Sequence, residues 1–551
     1  MKFPPLPFKF NLPDKQLLTA DAIAGLSVAF ILLPEAVAYA GIAHLSIQAA
    51  ITAALAGLIC YALIGGSQFA VVAPTSSSAA LLAAVVLSLN PLDGLAYANL
   101  GVALVILTGG GLLIFAKAGL GRLSAFLSRP VLHGFSFALA ITIIVKQLPI
   151  ILGVTVQASD PFHIILTLIA QFDDWAAWSA AVGSSALFLL GVLRRWRWIP
   201  GAFTVLVLSI CLSYAVNLEA LHIATVGPLT IRMPNLDLPH LPVEKWLRLA
   251  EVACGLIIII VAESWGSIRS LSLLHGHSVE PDRELFALGA ANLVSGLVQG
   301  MPVGAGFSAS SASEDAGAQT KLAGVVAAFV LLLMVVFGQA WIERIPEPVV
   351  AAAVINALSH ALNPKALIAL WRMDRDQYLA LAAVVAVLVF GVLHGMLIAI
   401  GLSLAAAIRA FSQPLVRELA ELDSSRNYVD LLNHPDAIPD PRILILRPEE
   451  PLFFANIESV LAEVDRRLKS RTNVQIIIIS VEESGNFDST AAEAMIEFAD
   501  HLARHEITLL LARVKDPISQ LLLKLAKEKF LGKLFWSVND AVVNAKQVYM
   551  L

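Results

Sequence analysis

Between residues 21 and 412 the chain is a near-unbroken succession of apolar runs, most of them long enough to cross a lipid bilayer. A helix spanning a hydrocarbon core about 30 Å thick needs about 20 apolar residues. About fourteen segments can be read, near 21–43, 47–66, 74–89, 95–116, 131–152, 175–193, 198–217, 248–266, 283–299, 307–317, 321–341, 347–361, 377–392 and 394–412. Lipid offers the backbone no hydrogen-bond partner, so such a chain must be helical where it spans. With 58% apolar and 14% charged residues, a disordered, fibrous or ordinary soluble fold is excluded.

Charge separates a second regime. Residues 413–551 hold 16 Lys or Arg and 21 Asp or Glu, whereas the much longer stretch 1–412 holds 21 of each. Residues 413–440, with Pro414, Pro435 and Pro439, read as a linker. From Pro441 onward, the β-rich runs Arg442–Arg447, Leu452–Phe454 and Val474–Val481 alternate with amphipathic helices near 457–470, 490–504 and 516–529, which predicts a small α/β domain over 441–551. Net charge is −5 with no clustered basic face, so nucleic acid is not expected as a partner. Cys60, Cys211 and Cys254 lie in apolar runs without metal-like spacing, and neither a disulfide framework nor a metal is expected.

Residues 1–20, carrying Lys2, Lys9 and Lys15, show no cleavage site of the signal-peptide kind and read as a cytoplasmic segment. Loops after even-numbered segments carry Arg122, Arg129, Arg194, Arg195, Arg197, Arg269, Arg283, Lys321, Lys365, Arg372 and Arg375. Loops after odd-numbered ones carry Asp93, Asp160, Asp173 and Asp174, with Arg232, Lys245, Arg248 and Arg344 as exceptions. Positive charge stays inside, so a multi-pass protein of the plasma (inner) membrane with both termini cytoplasmic is expected.

Two segments are irregular. Phe69 to Leu89 is broken by Pro74 and a Thr-Ser-Ser-Ser run, and Met301 to Gly317 by Pro302, Gly304 and Gly306. Both read as half-helices entered through an extended strand. They fall third and tenth, seven apart, and a repeat of seven crossings must be inserted upside down relative to its twin, the mark of a secondary transporter. The alternative is that Gly and Pro only permit kinks or close packing.

An unwound strand at membrane depth is tolerated only where protein or a water-filled cavity satisfies it. Each half-helix start concentrates unpaired N–H groups and about half a positive charge, which suits the oxygens of an anion. Thr75, Ser76, Ser77 and Ser78 line one start; Phe307, Ser308, Ala309, Ser310 and Ser311 line the other. The alternative is that these hydroxyls cap only their own helices. Glu35, after Pro34 in the first span, and Glu263, late in the eighth, are carboxyls at a depth where charge is costly. Burial favours a carboxyl's neutral form, so either can couple a proton to transport; for Glu263 the alternative is a helix end facing cytoplasmic water. Lys146, near the end of the fifth span, is read as snorkelling, the alternative being a site role, and Glu314 and Asp315 as lying toward water. No nucleophile and base pair, nucleotide loop or metal cluster appears, so neither enzymatic chemistry nor a cofactor is expected.

These stretches resemble the SulP (sulfate permease) anion transporters. DAIAGLSVAFILLPEAVAYA (21–40) is similar to that family's first-span signature and GGSQFAVVAPTSSSAALLAA (65–84) to its third-segment motif. ESWGSIRSL (263–271), ELFALGAANLVSGLVQGMPVGAGFSASSASEDAGAQTKLAG (284–324) and PLFFANIESV (451–460) complete the resemblance, which covers almost the whole chain. It implies a polytopic α-helical protein of seven plus seven inverted segments with half-helices 3 and 10, divided into core and gate, followed by a cytoplasmic STAS domain. It also implies sulfate, bicarbonate, chloride or dicarboxylate as cargo, and a homodimer. Carried over by position, the site comprises Glu35, Tyr39, Thr75, Ser76, Glu263, Ser308 and Ala309.

Two positions depart from the family pattern. Glu35 stands where many relatives have Gln, and Ala309 where many have Arg after the first Ser of the tenth helix. The pocket gains a carboxyl and loses a cation, while two helix ends supply only about one unit of positive charge. At least one carboxyl is therefore expected to be protonated when an anion binds, favouring proton–anion symport by alternating access over exchange. In the tail, Ser489 of Asp488-Ser489-Thr490 matches the position phosphorylated in related bacterial domains; the alternative is a plain helix cap. The competing function is a membrane-anchored STAS regulator with a non-transporting pocket, its tail binding a cytoplasmic protein. Nucleobase permeases share the membrane fold but lack the tail present at 441–551.

Overall fold

The computed structural model describes residues 15–89, 91, 93–121, 129–156, 160–193, 195, 201–227, 238–359, 362–373, 376–412, 415–423, 425–471 and 473–549. Residues 1–14 and the loop cations Arg122, Arg194, Arg197, Arg232 and Arg375 lie outside this set. Two compact units divide the chain between Ser403 and Leu404.

Up to Ser412 the order is α1 (Lys15–Ala43), α2 (Ile47–Ile64), β1 (Val72–Pro74), α3 (Ser76–Ser88), α4 (Gly94–Lys117), α5 (Arg129–Leu152), α6 (Pro161–Ala170), α7 (Ala177–Leu193), α8 (Gly201–Ala215), α9 (Val243–Leu274), α10 (Pro281–Leu297), β2 (Val303–Ala305), α11 (Phe307–Asp315), α12 (Leu322–Ile342), α13 (Glu347–Leu358), α14 (Lys365–Met373) and α15 (Gln377–Ser412). Every expected segment is present as helix, and the third and tenth are the half-helices α3 and α11, each entered through a three-residue strand. The last two expected segments form one run broken at Gly391, whose φ of 80° and ψ of 175° suit only glycine.

Two helices, α6 and α14, have no counterpart among the expected segments. At 10 and 9 residues they are too short to register as spans. Asp160 and Pro161 start α6: the Asp160 carboxylate accepts from the His163 amide, and proline at the first helical position gives up no needed hydrogen bond. Both helices follow the same segment of their half, the fifth and the twelfth, so they extend the repeat rather than interrupt it.

Packing repeats as well. α1 packs on α12 and α2, and its counterpart α9 packs on α4 and α10; α2 meets α12 as α10 meets α4. Small residues permit the closest approaches, as membrane helices require in the absence of a hydrophobic drive between them. A methyl group at Gly109 of α4 would sit 2.5 Å from the Leu293 amide nitrogen of α10. Large apolar side chains such as Phe188, Phe329, Phe337 and Val389 point outward, as lipid contact demands. Among the described residues five helices are long and apolar enough to cross a membrane unaided: Gln16–Ala43, Ile47–Ile64, Gly94–Lys117, Arg129–Leu152 and Leu322–Ile342.

The second unit holds β3 (Val416–Glu421), β4 (Tyr428–Asp430), β5 (Ile443–Pro448), α16 (Ile457–Lys469), β6 (Ile476–Ser480), α17 (Ser489–Ala503), β7 (Thr508–Ala512), α18 (Asp516–Phe530) and α19 (Val538–Asn544). The sheet order is β4-β3-β5-β6-β7, with β5, β6 and β7 parallel and β3 antiparallel to both its neighbours. β6 is buried along its whole length, because α16, α17 and α18 contribute to the core on one face and α19 to that on the other. The stretch expected as a linker, 413–440, therefore needs correction: its β3 and β4 are part of this sheet. Val416 and Leu419 are buried in the cores on opposite faces of the sheet, and Arg417, Glu418 and Glu421 are partly buried among them on both faces, so the charges that suggested a linker belong to a paired strand.

Candidate functional site

β1 and β2 pair antiparallel, Val72 with Ala305, Ala73 with Gly304 and Pro74 with Val303. This short ladder joins the two halves and sets the starts of α3 and α11 beside each other. A methyl at Gly306, the residue capping α11, would lie 3.4 Å from the Thr75 Cγ2 methyl. Pairing leaves outward strand groups to be satisfied from the surrounding helices. The Val303 amide donates to Asn292 Oδ1 (3.0 Å), and Asn292 Nδ2 donates to the Val303 carbonyl (2.8 Å). The Ala305 amide donates to Ser264 Oγ (2.9 Å), the Val71 amide to Ser310 Oγ (3.0 Å), and the Ser295 hydroxyl to the Met301 carbonyl (2.7 Å).

Thr75 caps α3 in a reciprocal box with Ser78. The Thr75 hydroxyl also lies 3.0 Å from Glu263 Oε2, in position to donate to it, and the Ser77 hydroxyl donates to the same carboxyl oxygen. At the other half-helix the Ser308 hydroxyl donates to Glu35 Oε1 at 3.0 Å. Tyr39, one turn beyond Glu35 on α1, is buried within electrostatic reach of both carboxyls, and the two carboxyls lie within reach of each other. Among the described residues, the hydrogen bonds to Glu35 and Glu263 come from hydroxyl groups alone.

The expected site residues thus separate into groups. Glu35, Thr75, Ser77, Glu263 and Ser308 form the two hydroxyl–carboxyl contacts, and partly buried Ser76 opens α3 between Thr75 and Ser77. Ala309 is buried in the first turn of α11, Phe307 is 56% exposed, and Ser310, fully buried, accepts from the amide of Val71, the residue before β1. Sequence reading missed Asn292, Ser264 and Ser295; the available signal was three fully buried polar residues in otherwise apolar helices flanking a broken one.

A cavity of about 660 Å³ opens at the end of α1 by His44, and none of Glu35, Tyr39, Thr75, Ser77, Glu263 or Ser308 lines it. Val37, Ala38 and Ala80 line it near the site, and Lys146, the residue expected to snorkel, opens into it. Glu314 pairs with His275 at 3.0 Å, partly exposed, as expected of a group placed toward water. In the second unit Ser489 is exposed at the first position of α17, where Asp488 caps the helix by accepting from the Ala491 amide.

Paired half-helices at the junction of two repeated halves, flanked by one buried and one partly buried carboxyl, define a multi-pass helical membrane transporter. A model of the sulfate permease family matches residues 18–384 and a STAS domain model matches 434–541. A Mycobacterium tuberculosis (strain CDC 1551 / Oshkosh) protein described as "Probable sulfate transporter MT1781" is 30% identical over 521 residues, covering 93% of this chain and 92% of that one. The chain belongs to the sulfate permease family and is an anion transporter of that family. "Sulfate transporter 4.1, chloroplastic" of Arabidopsis thaliana is 26% identical over 549 residues, 95% of this chain and 79% of that one. The fold matches murine Solute Carrier 26 family member A9, an anion transporter solved in the inward-facing state, with a TM-score of 0.88 at 18% identity over 97% of this chain and 92% of that one. It also matches the transmembrane domain of a cyanobacterium bicarbonate transporter, BicA, with a TM-score of 0.62 at 20% identity over 72% of this chain and 98% of that one.

Proposed function

We propose that this protein carries a small anion of the sulfate, bicarbonate or dicarboxylate class together with protons, binding it between the starts of α3 and α11 and moving it by alternating access. The observation that carries this reading is Glu263, held by the same Thr75 and Ser77 hydroxyls that begin α3. The backbone N–H groups and hydroxyls there suit oxyanion oxygens. The substrate contacts are Ser76, Ser77, Thr75, Tyr39 and Glu35 on one side and Phe307, Ser308 and Ala309 on the other. Ser310 acts by fixing the strand that positions them. Glu263 and Glu35 take up the coupled protons, because an anion cannot be added to a pocket holding two carboxylates without compensating charge. The names of the relatives, sulfate and bicarbonate transporters, support the substrate class. The protein works as a homodimer in the plasma (inner) membrane with both termini cytoplasmic, and its STAS domain presents Ser489 for phosphorylation or partner binding.

Purified protein in liposomes, tested with radiolabelled sulfate, bicarbonate, fumarate and chloride, with and without an inward proton gradient, examines this directly. Uptake of at least one anion should rise in the gradient, and Glu263→Gln should remove that rise with folding retained. Uptake insensitive to pH would contradict proton coupling. Uptake of none would favour the regulatory reading.

A further inference from the structure

The two hydroxyl–carboxyl contacts obey the repeat in a crossed manner. Glu35 lies on α1, the first helix of the first half, yet its hydroxyl partner starts α11 in the second half. Glu263 lies on α9, the first helix of the second half, and its partners start α3 in the first. Ser77 is the second residue past the cap Thr75, and Ser308 is the second residue past the cap Gly306. Each carboxyl therefore takes the equivalent place at the opposite half-helix, in the position where the oxygen of a transported anion would be received. Among the described residues, the buried Tyr39 interacts with both.

We infer that Glu35 and Glu263 are tethered stand-ins for the cargo, each released from its half-helix when one unit of anion charge arrives and neutralised by one proton as it leaves. This rests on the proposed anion site. Two ionised carboxyls give the pocket two negative charges against about one positive from the helix ends. Replacing a seated carboxylate by an anion oxygen, with the displaced carboxyl taking a proton, leaves that balance unchanged. A monovalent anion displaces one carboxyl and a divalent anion both, so loading is electroneutral for either. Glu35, held by Ser308, sets the second proton.

The test is proton uptake on anion binding by the purified full-length protein in detergent. A weakly buffered solution with an indicator dye is titrated with sodium sulfate and, separately, sodium chloride, while bound anion is counted by radiolabel. At alkaline pH, where both carboxyls are ionised before anion is added, wild type should take up two protons per sulfate and one per chloride. Glu35→Gln, isosteric and still able to accept from Ser308, should take up one per sulfate; Glu263→Gln likewise one; the double variant none. Should Glu35→Gln fail to fold, the single proton left in Glu263→Gln reads the same quantity. Binding with no proton uptake, or an equal sulfate count in wild type and Glu35→Gln, would overturn the inference while leaving the anion site standing. Absence of binding of both anions by wild type would instead overturn the proposed site.

Discussion

Thr75 has two tasks, capping α3 and reaching Glu263. Thr75→Ala should lower stability by about 1 kcal/mol, the usual worth of a cap, and reduce anion uptake far more than that loss accounts for. Thermal unfolding in detergent and tracer uptake measured on one preparation separate the two effects. Asn292 makes both a donor and an acceptor bond to Val303 at a depth without water, so Asn292→Ala should cost about 2–3 kcal/mol and lower the unfolding midpoint. In the STAS domain, Arg467 and Arg466 hydrogen-bond Glu463 and hold its carboxyl below the usual 4.5. Its folded value is depressed, so its contribution is present above pH 4.5 and is lost as pH falls through the folded value. These partly exposed pairs are worth about 0.3–0.5 kcal/mol each. Glu463→Gln should therefore flatten the acid limb of STAS-domain unfolding only slightly, and a large loss at neutral pH would contradict that assignment.

Elements are held in place by backbone approaches that side chains cannot replace. Gly57 of α2 faces β1 so closely that a methyl would lie 2.5 Å from the Val72 carbonyl oxygen. Gly57→Ala should displace β1 and with it the start of α3, lowering both stability and uptake. Gly391 poses the opposite case: a methyl there would meet nothing within 4 Å, but the backbone itself is unfavourable for any other residue. Gly391→Ala should lose about 1–3 kcal/mol or straighten α15, a distinction that unfolding and a structure of the variant would read. The half-helices were legible because Pro74, Pro302, Gly304 and Gly306 break apolar runs beside hydroxyl-rich starts, and Glu35 and Glu263 because carboxyls at membrane depth are costly. Pairing between β1 and β2 was not legible, since a three-residue strand carries no periodic signal and its partner lies more than two hundred residues away. α6 and α14 escaped notice because span length was the criterion, β3 because half of its residues are charged, and β4 because three residues carry no periodic signal.

At the scale of the molecule, the fold follows from one operation applied twice: a seven-segment unit inserted in both senses, whose unwound strands meet and pair. That operation alone places two positive helix ends beside each other and gives each half a carboxyl that reaches the other. The central claim is that transported anion lies between those ends. It is tested most directly by determining the structure of the protein with selenate, a heavier analogue of sulfate, and locating the anomalous signal of selenium. The proposal predicts one site between Ser76–Ser77 and Ser308, with Glu35 and Glu263 turned away from the hydroxyls they hold without anion. Selenate bound elsewhere, or both hydroxyl–carboxyl contacts intact at saturating selenate, would contradict it.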